Sequence, residues 1–176
     1  MTTKWTIDPM HSEVEFKVKH LMISTVTGKF GTFTASAEAD AEDFSDAKIS
    51  FSADINSINT GNEQRDGHLK SDDFFNAEQF PTLNFVSTGI SKGANGMILS
   101  GDLTIRDVTK TISMQVEFNG TMVDPYGNHK AGFELTGIIN RKDFNLKWSA
   151  TTEAGGIVVS DEVKLICNIQ MAKIVA

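Results

Sequence analysis

An all-β fold closing into a barrel is predicted by three features of this 176-residue sequence. Apolar residues recur at every second position in segment after segment, the period of a strand with one buried face. Short turn-forming clusters separate the segments, so consecutive strands are antiparallel neighbours. Many segments run to about ten residues with a single apolar face, longer than the ~5–6 of an average strand, which suits closure. Periodicity does not distinguish closure from stacking, so a two-layer sandwich of similar strand count is the alternative.

The elements follow in order. Val14, Phe16 and Val18 share one face, with Glu13, Glu15, Lys17 and Lys19 on the other. The same alternation marks Phe33, Ala35, Ala37 and Ala39, then Ala47, Ile49, Phe51, Ala53 and Ile55. It continues through Leu83 and Phe85; Met97, Leu99, Leu103 and Ile105; Ile112, Met114, Val116 and Phe118; Ala131, Phe133, Leu135 and Ile139; and Val163 to Met171. That makes about eight strands. Turns are expected at KGANG (92–96), DPYGN (124–128) and EAGG (153–156). No repeat, low-complexity tract or linker interrupts the chain, and one domain over residues 1–176 is expected.

Alternation fails between about Thr60 and Phe80. Ser71 followed by Asp72 and Asp73 reads as a helix N-cap with acids in the first turn, which predicts a short helix through Phe74 and Phe75, stopped by Pro81. A short helical loop at about 60–80 has one obvious place in a barrel, across an open end. There Phe74, Phe75 and Phe80 would face inward, and Arg65, Asp66, Lys70 and Asp72 would stay in water.

Composition excludes several classes. Sixteen basic and 23 acidic residues give a net charge of −7, which repels nucleic-acid phosphates and anionic lipid surfaces on average. No window approaches a membrane-spanning helix, and the opening MTTKWTIDPMHS lacks the pattern of a secretion signal. A cytoplasmic protein is therefore expected, or a periplasmic one if a leader has been removed. Cys167 is the single cysteine, in register with Val163, Leu165, Ile169 and Met171, and reads as a buried structural thiol.

Candidate catalytic groups are sparse. His11, His20, His68 and His129 lack the mutual spacing of paired ligands on one element, so no metal site and no cofactor is expected. Asp8, His11 and Ser12 read as partners for backbone groups at a strand entrance rather than as a base and nucleophile. There is no GxSxG, P-loop or dinucleotide fingerprint. Arg65-Asp66, Arg106-Asp107 and Arg141-Lys142-Asp143 are expected to pair around the barrel rim. Arg65, His68 or Arg141 could instead meet a polar head group at the mouth.

The inward faces are almost devoid of ionisable groups, which suits hydrocarbon better than acid/base chemistry. Large residues (Phe16, Phe33, Phe51, Phe85, Phe133) mix with small ones (Ala35, Ala37, Ala47, Ala53, Ala131, Gly137). An eight-stranded barrel is near the size at which its lumen is either filled by side chains or open to one ligand.

Four stretches carry a resemblance to a known family: WTIDPMHSEVEFKVKHLMISTVTGKF (5–30), INSINTGNEQRDGHLKSDDFFNAEQFPTLNF (55–85), GDLTIRDVTK (101–110) and INRKDFNLKW (139–148). Together, in order and spacing, they resemble the YceI-like family of lipocalin-like, polyisoprenoid-binding proteins. The family pattern has glycine where this chain has Asp107 and Asn145. The resemblance implies an extended eight-stranded antiparallel barrel with a long hydrophobic tunnel holding an isoprenoid or similar long-chain lipid, and it suggests a homodimer.

The expected tunnel lining is Val14, Phe16, Phe33, Ala35, Ile49, Phe51, Ala53, Phe85, Leu103, Ile105, Met114, Val116, Phe133, Leu135, Val163, Leu165 and Cys167. Arg65, His68, Phe74, Phe75 and Arg141 are the expected lid or head-group contacts. The expected function is non-enzymatic binding and carriage of a polyisoprenoid, a quinone tail or prenyl phosphate. The alternatives are a lipid-metabolising enzyme with polar groups at the mouth and a filled barrel acting through its surface. Ile98, Ile138 and Ile166 break the outward polar pattern and are the candidate surface for self-association.

Overall fold

In the computed structural model, which describes residues 2–148 and 158–175, one antiparallel sheet closes on itself. Its strands are β1 (Lys4–Ile7), β2 (Glu13–His20), β3 (Ser24–Phe30), β4 (Phe33–Glu38), β5 (Lys48–Asp54), β6 (Ile58–Asn59), β7 (Thr82–Gly93), β8 (Gly96–Ile105), β9 (Val108–Val123), β10 (His129–Asn140) and β11 (Glu162–Lys173). Three pairs of these are single strands broken in the middle. β1 and β2 both pair with β11, β3 and β4 return along them, and β5 with β6 completes the third. Counted this way the molecule is an eight-stranded up-and-down barrel. The pairing of Trp5 with Lys173 and Ile7 with Met171 closes it and removes the sandwich alternative.

The three breaks lie side by side across the wall and have local causes. Pro9 has no amide proton to donate, and Asp8 caps the turn Pro9–His11 through Met10 N. Ser12 then repairs the ladder: its Oγ accepts from Gln170 N at 2.9 Å and donates to Gln170 O. Gly31 N donates to Ser57 O, and Asp54 caps the turn Ile55–Ser57 through Asn56 N. So Asp8 and Ser12 do serve backbone groups at a strand entrance.

Asp8 also accepts from Lys130 Nζ on β10 and bonds His11 Nδ1, both at 2.9 Å. The Lys130 ammonium, ahead of the opposing effect of burial and the aid of His11, lowers its pKa to about 2. A depressed carboxylate pKa contributes stability that is complete above the unfolded-chain value near 3.9 and lost as pH falls through the folded value. Stability is therefore expected to drop by on the order of 1 kcal/mol between about pH 4 and pH 2. Lys130→Met should flatten that limb in acid titrations followed by circular dichroism; an unchanged limb would remove the pair from the account.

Close packing explains two glycines on the inward faces. A Cβ at Gly28 would lie 2.2 Å from the Phe16 ring of the facing strand, and one at Gly101 would lie 2.4 Å from Phe85 and 2.6 Å from Val86 O. Each glycine makes room for a ring to lie over the backbone, as in other sheets where aromatics cover a strand glycine.

The helical loop is present, with a shifted start. The helix α1 spans Glu63–Lys70, capped by Asn62, whose side chain accepts from Arg65 N. Ser71 stands at the other end: its Oγ donates to His68 O, so it is the C-cap and not the expected N-cap. Phe74 and Phe75 follow the helix rather than lying in it. The two expected glycine positions also resolve unequally. Asn145 is left-handed (φ 64°), whereas in the 106–107 turn it is Arg106 (φ 56°) and not Asp107 that takes positive φ. The β7–β8 and β9–β10 turns fall at KGANG and DPYGN, and EAGG lies outside the described residues. No helix among the described residues is long and apolar enough to cross a membrane.

Candidate functional site

The barrel interior encloses a cavity of ≈ 250 Å³ whose wall draws on every strand except β6. That volume is slightly below the ~300–1,000 Å³ of pockets for compact ligands. Yet the lining runs from Val163 to Met171 along β11, roughly 27 Å at the usual rise per residue. The space is therefore long and narrow. Apart from Glu15, Arg141 and Cys167, every lining residue is aliphatic, aromatic, Ala or Met.

Of the expected wall, Val14, Phe16, Ala35, Ile49, Phe51, Phe85, Leu103, Ile105, Met114, Val116, Phe133, Leu135, Val163, Leu165 and Cys167 line the cavity. Phe33 and Ala53 do not. They pair across β4 and β5 beside the breaks, 8% and 1% exposed, where the wall packs against neighbouring side chains. Phe16, Ile49, Phe51, Phe133, Leu135, Val163, Leu165 and Cys167 are only partly buried although they point inward. The surface they expose is cavity wall.

Aromatic residues stand at both ends. At the end bearing the 39–47 loop, Phe44 packs on Trp5, Phe118 and Phe133 with centroids 5.0, 5.4 and 5.0 Å away. Phe44 has left-handed backbone (φ 62°) in a segment without periodicity, which is why alternation did not single it out. At the opposite end Leu69, Phe74, Phe75 and Leu146 line the cavity, and Phe75 meets Phe30 of β3 edge-on at 6.3 Å. This is the lid.

Polar side chains fasten the lid, and few of them reach the lumen. Arg106 Nη1 donates to the carbonyls of Asp72 and Phe74 at 2.9 and 3.0 Å, and its Nη2 meets the Asp72 carboxylate at 2.8 Å. Arg65 donates to Oγ1 and O of Thr60 at 2.7 and 2.6 Å, and Asp66 accepts from the same residue. His68 bonds Asp73 at 2.8 Å and stands edge-on to Phe74 and Trp148. Neither Arg65 nor His68 lines the cavity.

Arg141 does line it, 3% exposed, but its donors are occupied by Ser160 O, Leu146 O, Trp148 O and Val159 O, with Asp161 Oδ1 at 3.6 Å. Burial lowers its pKa from the ordinary value and Asp161 works in the opposite direction. Burial also pushes the Cys167 thiol up to about 12, which leaves it a neutral wall residue at physiological pH. No group of three or more potential metal ligands occurs among the described residues.

On the outer wall, Ile98 and Ile166 belong to one cross-strand row through Gln115 and Thr136, and Ile138 stands one step along β10, 65% exposed. Polar residues separate Ile98 from the other two.

Comparison with known proteins gives a consistent result. A model of the YceI-like domain matches residues 5–171. A UPF0312 protein of Staphylococcus aureus is 40% identical over 163 residues, covering 92% of this chain and 93% of the relative. Among solved structures, BcnA of Burkholderia cenocepacia aligns with TM-score 0.79 at 23% identity, over 93% of this chain and 98% of that one. A polyisoprenoid-binding domain from Saccharophagus degradans aligns with TM-score 0.71 at 16% identity, over 97% and 98%. These last two likenesses establish the fold.

Proposed function

The chain belongs to the YceI-like family, and from that premise we propose that it binds a long-chain amphiphile in the lumen, a polyisoprenoid such as a quinone tail or prenyl phosphate, and carries or sequesters it unchanged. The observation that carries this reading is the shape of the cavity: narrow, nearly free of ionisable groups, and running between the aromatic residues Phe44 at one end and Phe74 and Phe75 at the other. The solved domain of the same fold described as polyisoprenoid-binding supports the ligand class. Each buried methylene contributes about 0.8 kcal/mol, set against association costs of at least ~4 kcal/mol, so affinity should track the length of chain the lumen takes up more than the head group.

The absence of chemistry in the reading has its own support. Cys167 is held neutral, Arg141 has its hydrogen bonds satisfied by carbonyls, and His68 is bonded to Asp73 off the cavity. Self-association through the Ile138 and Ile166 face belongs to the same proposal.

Native mass spectrometry of protein purified without detergent tests both parts. A bound lipid mass, or uptake of added prenyl alcohols that strengthens with chain length, is the expected result. No lipid mass and no uptake would leave a barrel acting through its surface, and a monomer mass alone at high concentration would remove the dimer.

A further inference from the structure

The β2–β3 hairpin stands out from the rest of the surface. Its three-residue tip is Leu21, Met22 and Ile23, exposed by 40%, 64% and 85%. Leu21 and Met22 both take left-handed backbone, with φ of 53° and 64°. Turns that need two positive φ values in succession are made cheaply by Asn-Gly or Gly-Gly. Here two bulky apolar residues occupy them and point their side chains into water. Local folding gains nothing from either choice.

Lysines flank that tip. Although the chain carries −7 overall, no Asp or Glu occurs between Glu15 and Glu38; Lys17 and Lys19 lie on β2 next to the tip, with Lys164 of β11 in register with Lys17, whereas Lys29 stands at the far end of β3 in register with Glu15. Lys19 Nζ donates across it to Thr25 Oγ1 at 2.8 Å, and its base is tied to the barrel by Leu21 N to Val158 O and Ser160 N to Lys19 O. A stiff ribbon with an apolar tip and flanking lysines is the arrangement by which side chains enter the acyl boundary of a bilayer while ammonium groups stay with anionic head groups.

The hairpin also adjoins the lid. Val18, on the inward face of β2, lines the cavity, and Phe30 at the far end of β3 packs against Phe75. The other rim has exposed apolar residues too, Met122, Val123 and Tyr126, but they flank Asp124 and stand at the same end as Asp40, Glu42, Asp43 and Asp46 of the 39–47 loop. Acidic residues occur at the lid end as well, where Asp72 pairs with Arg106 and Asp73 with His68, so the hairpin is singled out by its own apolar tip and lysines.

We infer that the β2–β3 hairpin docks the lid end of the barrel on an anionic phospholipid bilayer, with Leu21, Met22 and Ile23 inserted and Lys17 and Lys19 on the head groups. Docking there sets the lid against the source of a long-chain lipid; that purpose rests on the lipid-binding reading, whereas docking itself does not.

The test is flotation with vesicles of phosphatidylcholine alone and of phosphatidylcholine containing about one-third phosphatidylglycerol. The parent protein should bind the anionic vesicles, and less so as salt rises from about 0.1 M to about 1 M and the screening length contracts from ~10 to ~3 Å. The variant Leu21→Asn, Met22→Gly, Ile23→Ser should bind on the order of a hundredfold more weakly. Its melting temperature should be unchanged or raised, because Asn-Gly suits the turn, and its prenyl-chain uptake in solution should be unchanged. A parent that ignores both vesicle types, a tip variant that binds like the parent, or loss of binding through Met122→Ser with Tyr126→Ser would each overturn the inference. So would sedimentation showing a dimer that the tip variant abolishes, since the tip would then cover a second copy. Docking without prenyl-chain uptake would sink the carrier reading and leave the docking surface standing; uptake without docking would do the reverse.

Discussion

Arg141→Met is expected to destabilise the protein by about 3–5 kcal/mol, the usual cost of removing one member of a buried charged network. Methionine keeps the apolar stem of the side chain, so the loss is chiefly that of the guanidinium. Four carbonyls, those of Leu146, Trp148, Val159 and Ser160, would lose their donor, and Asp161 would lose its buried cation. Each buried acceptor left unpaired costs about 1–3 kcal/mol, less where water can enter from the nearby surface. Arg141→Lys should recover little, because three ammonium protons cannot reproduce a planar fork meeting carbonyls on both flanks. Urea denaturation gives the magnitude. Hydrogen exchange should show the first protection lost around residues 158–160 and in the lid, where Arg141 also stacks over Phe74 at 6.0 Å. A loss below about 1 kcal/mol in both variants would mean that water replaces the guanidinium and that the lid is held by Arg106 alone.

Much of this was legible in the sequence because strand parity is a robust signal. Each of the eight alternating segments corresponds to one strand of the closed barrel, and the inward and outward faces were assigned from it. What parity does not encode is distance to the opposite wall. Phe33 and Ala53 point inward as expected yet lie where the broken strands pack against side chains, so they are not on the cavity. The halves β1, β3 and β6 carry no such signal, for separate reasons. β1 and β6 are four and two residues long. β3 places Gly28 at an inward position, where the Phe16 ring supplies the missing apolar surface from the neighbouring strand.

The lid was legible in content and not in boundary. Asn62 and Ser71 both have capping chemistry, and the choice between them depends on which amides are unpaired, a property of the folded loop. The head-group candidates show the same limit. Arg65, Arg106 and Arg141 all recur beside aspartate, yet most of their hydrogen bonds are to backbone carbonyls and hydroxyls that sequence spacing does not reveal.

Ala35→Phe and Ala53→Phe should have opposite consequences, though both alanines face inward on adjacent strands. Ala35 lines the cavity beside Phe51, its partner on the adjacent strand, and is only partly buried, so a phenyl ring there has open volume to enter. Its stability should stay within about 1 kcal/mol of the parent, while uptake of prenyl chains falls on the order of a hundredfold because the ring occupies the path. Ala53 is 1% exposed between Phe33 and Leu83, themselves 8% and 9% exposed, and has no such volume. A ring there forces its neighbours off their rotamers and should cost about 1–3 kcal/mol or more, with uptake preserved in the fraction that folds. Melting temperature and prenyl-chain uptake measured on both variants decide the matter. Equal destabilisation by the two substitutions would mean that the lumen near Ala35 is packed in solution, and the carrier reading would fall with it; a stable Ala35→Phe that still takes up prenyl chains would place the ligand elsewhere on the protein.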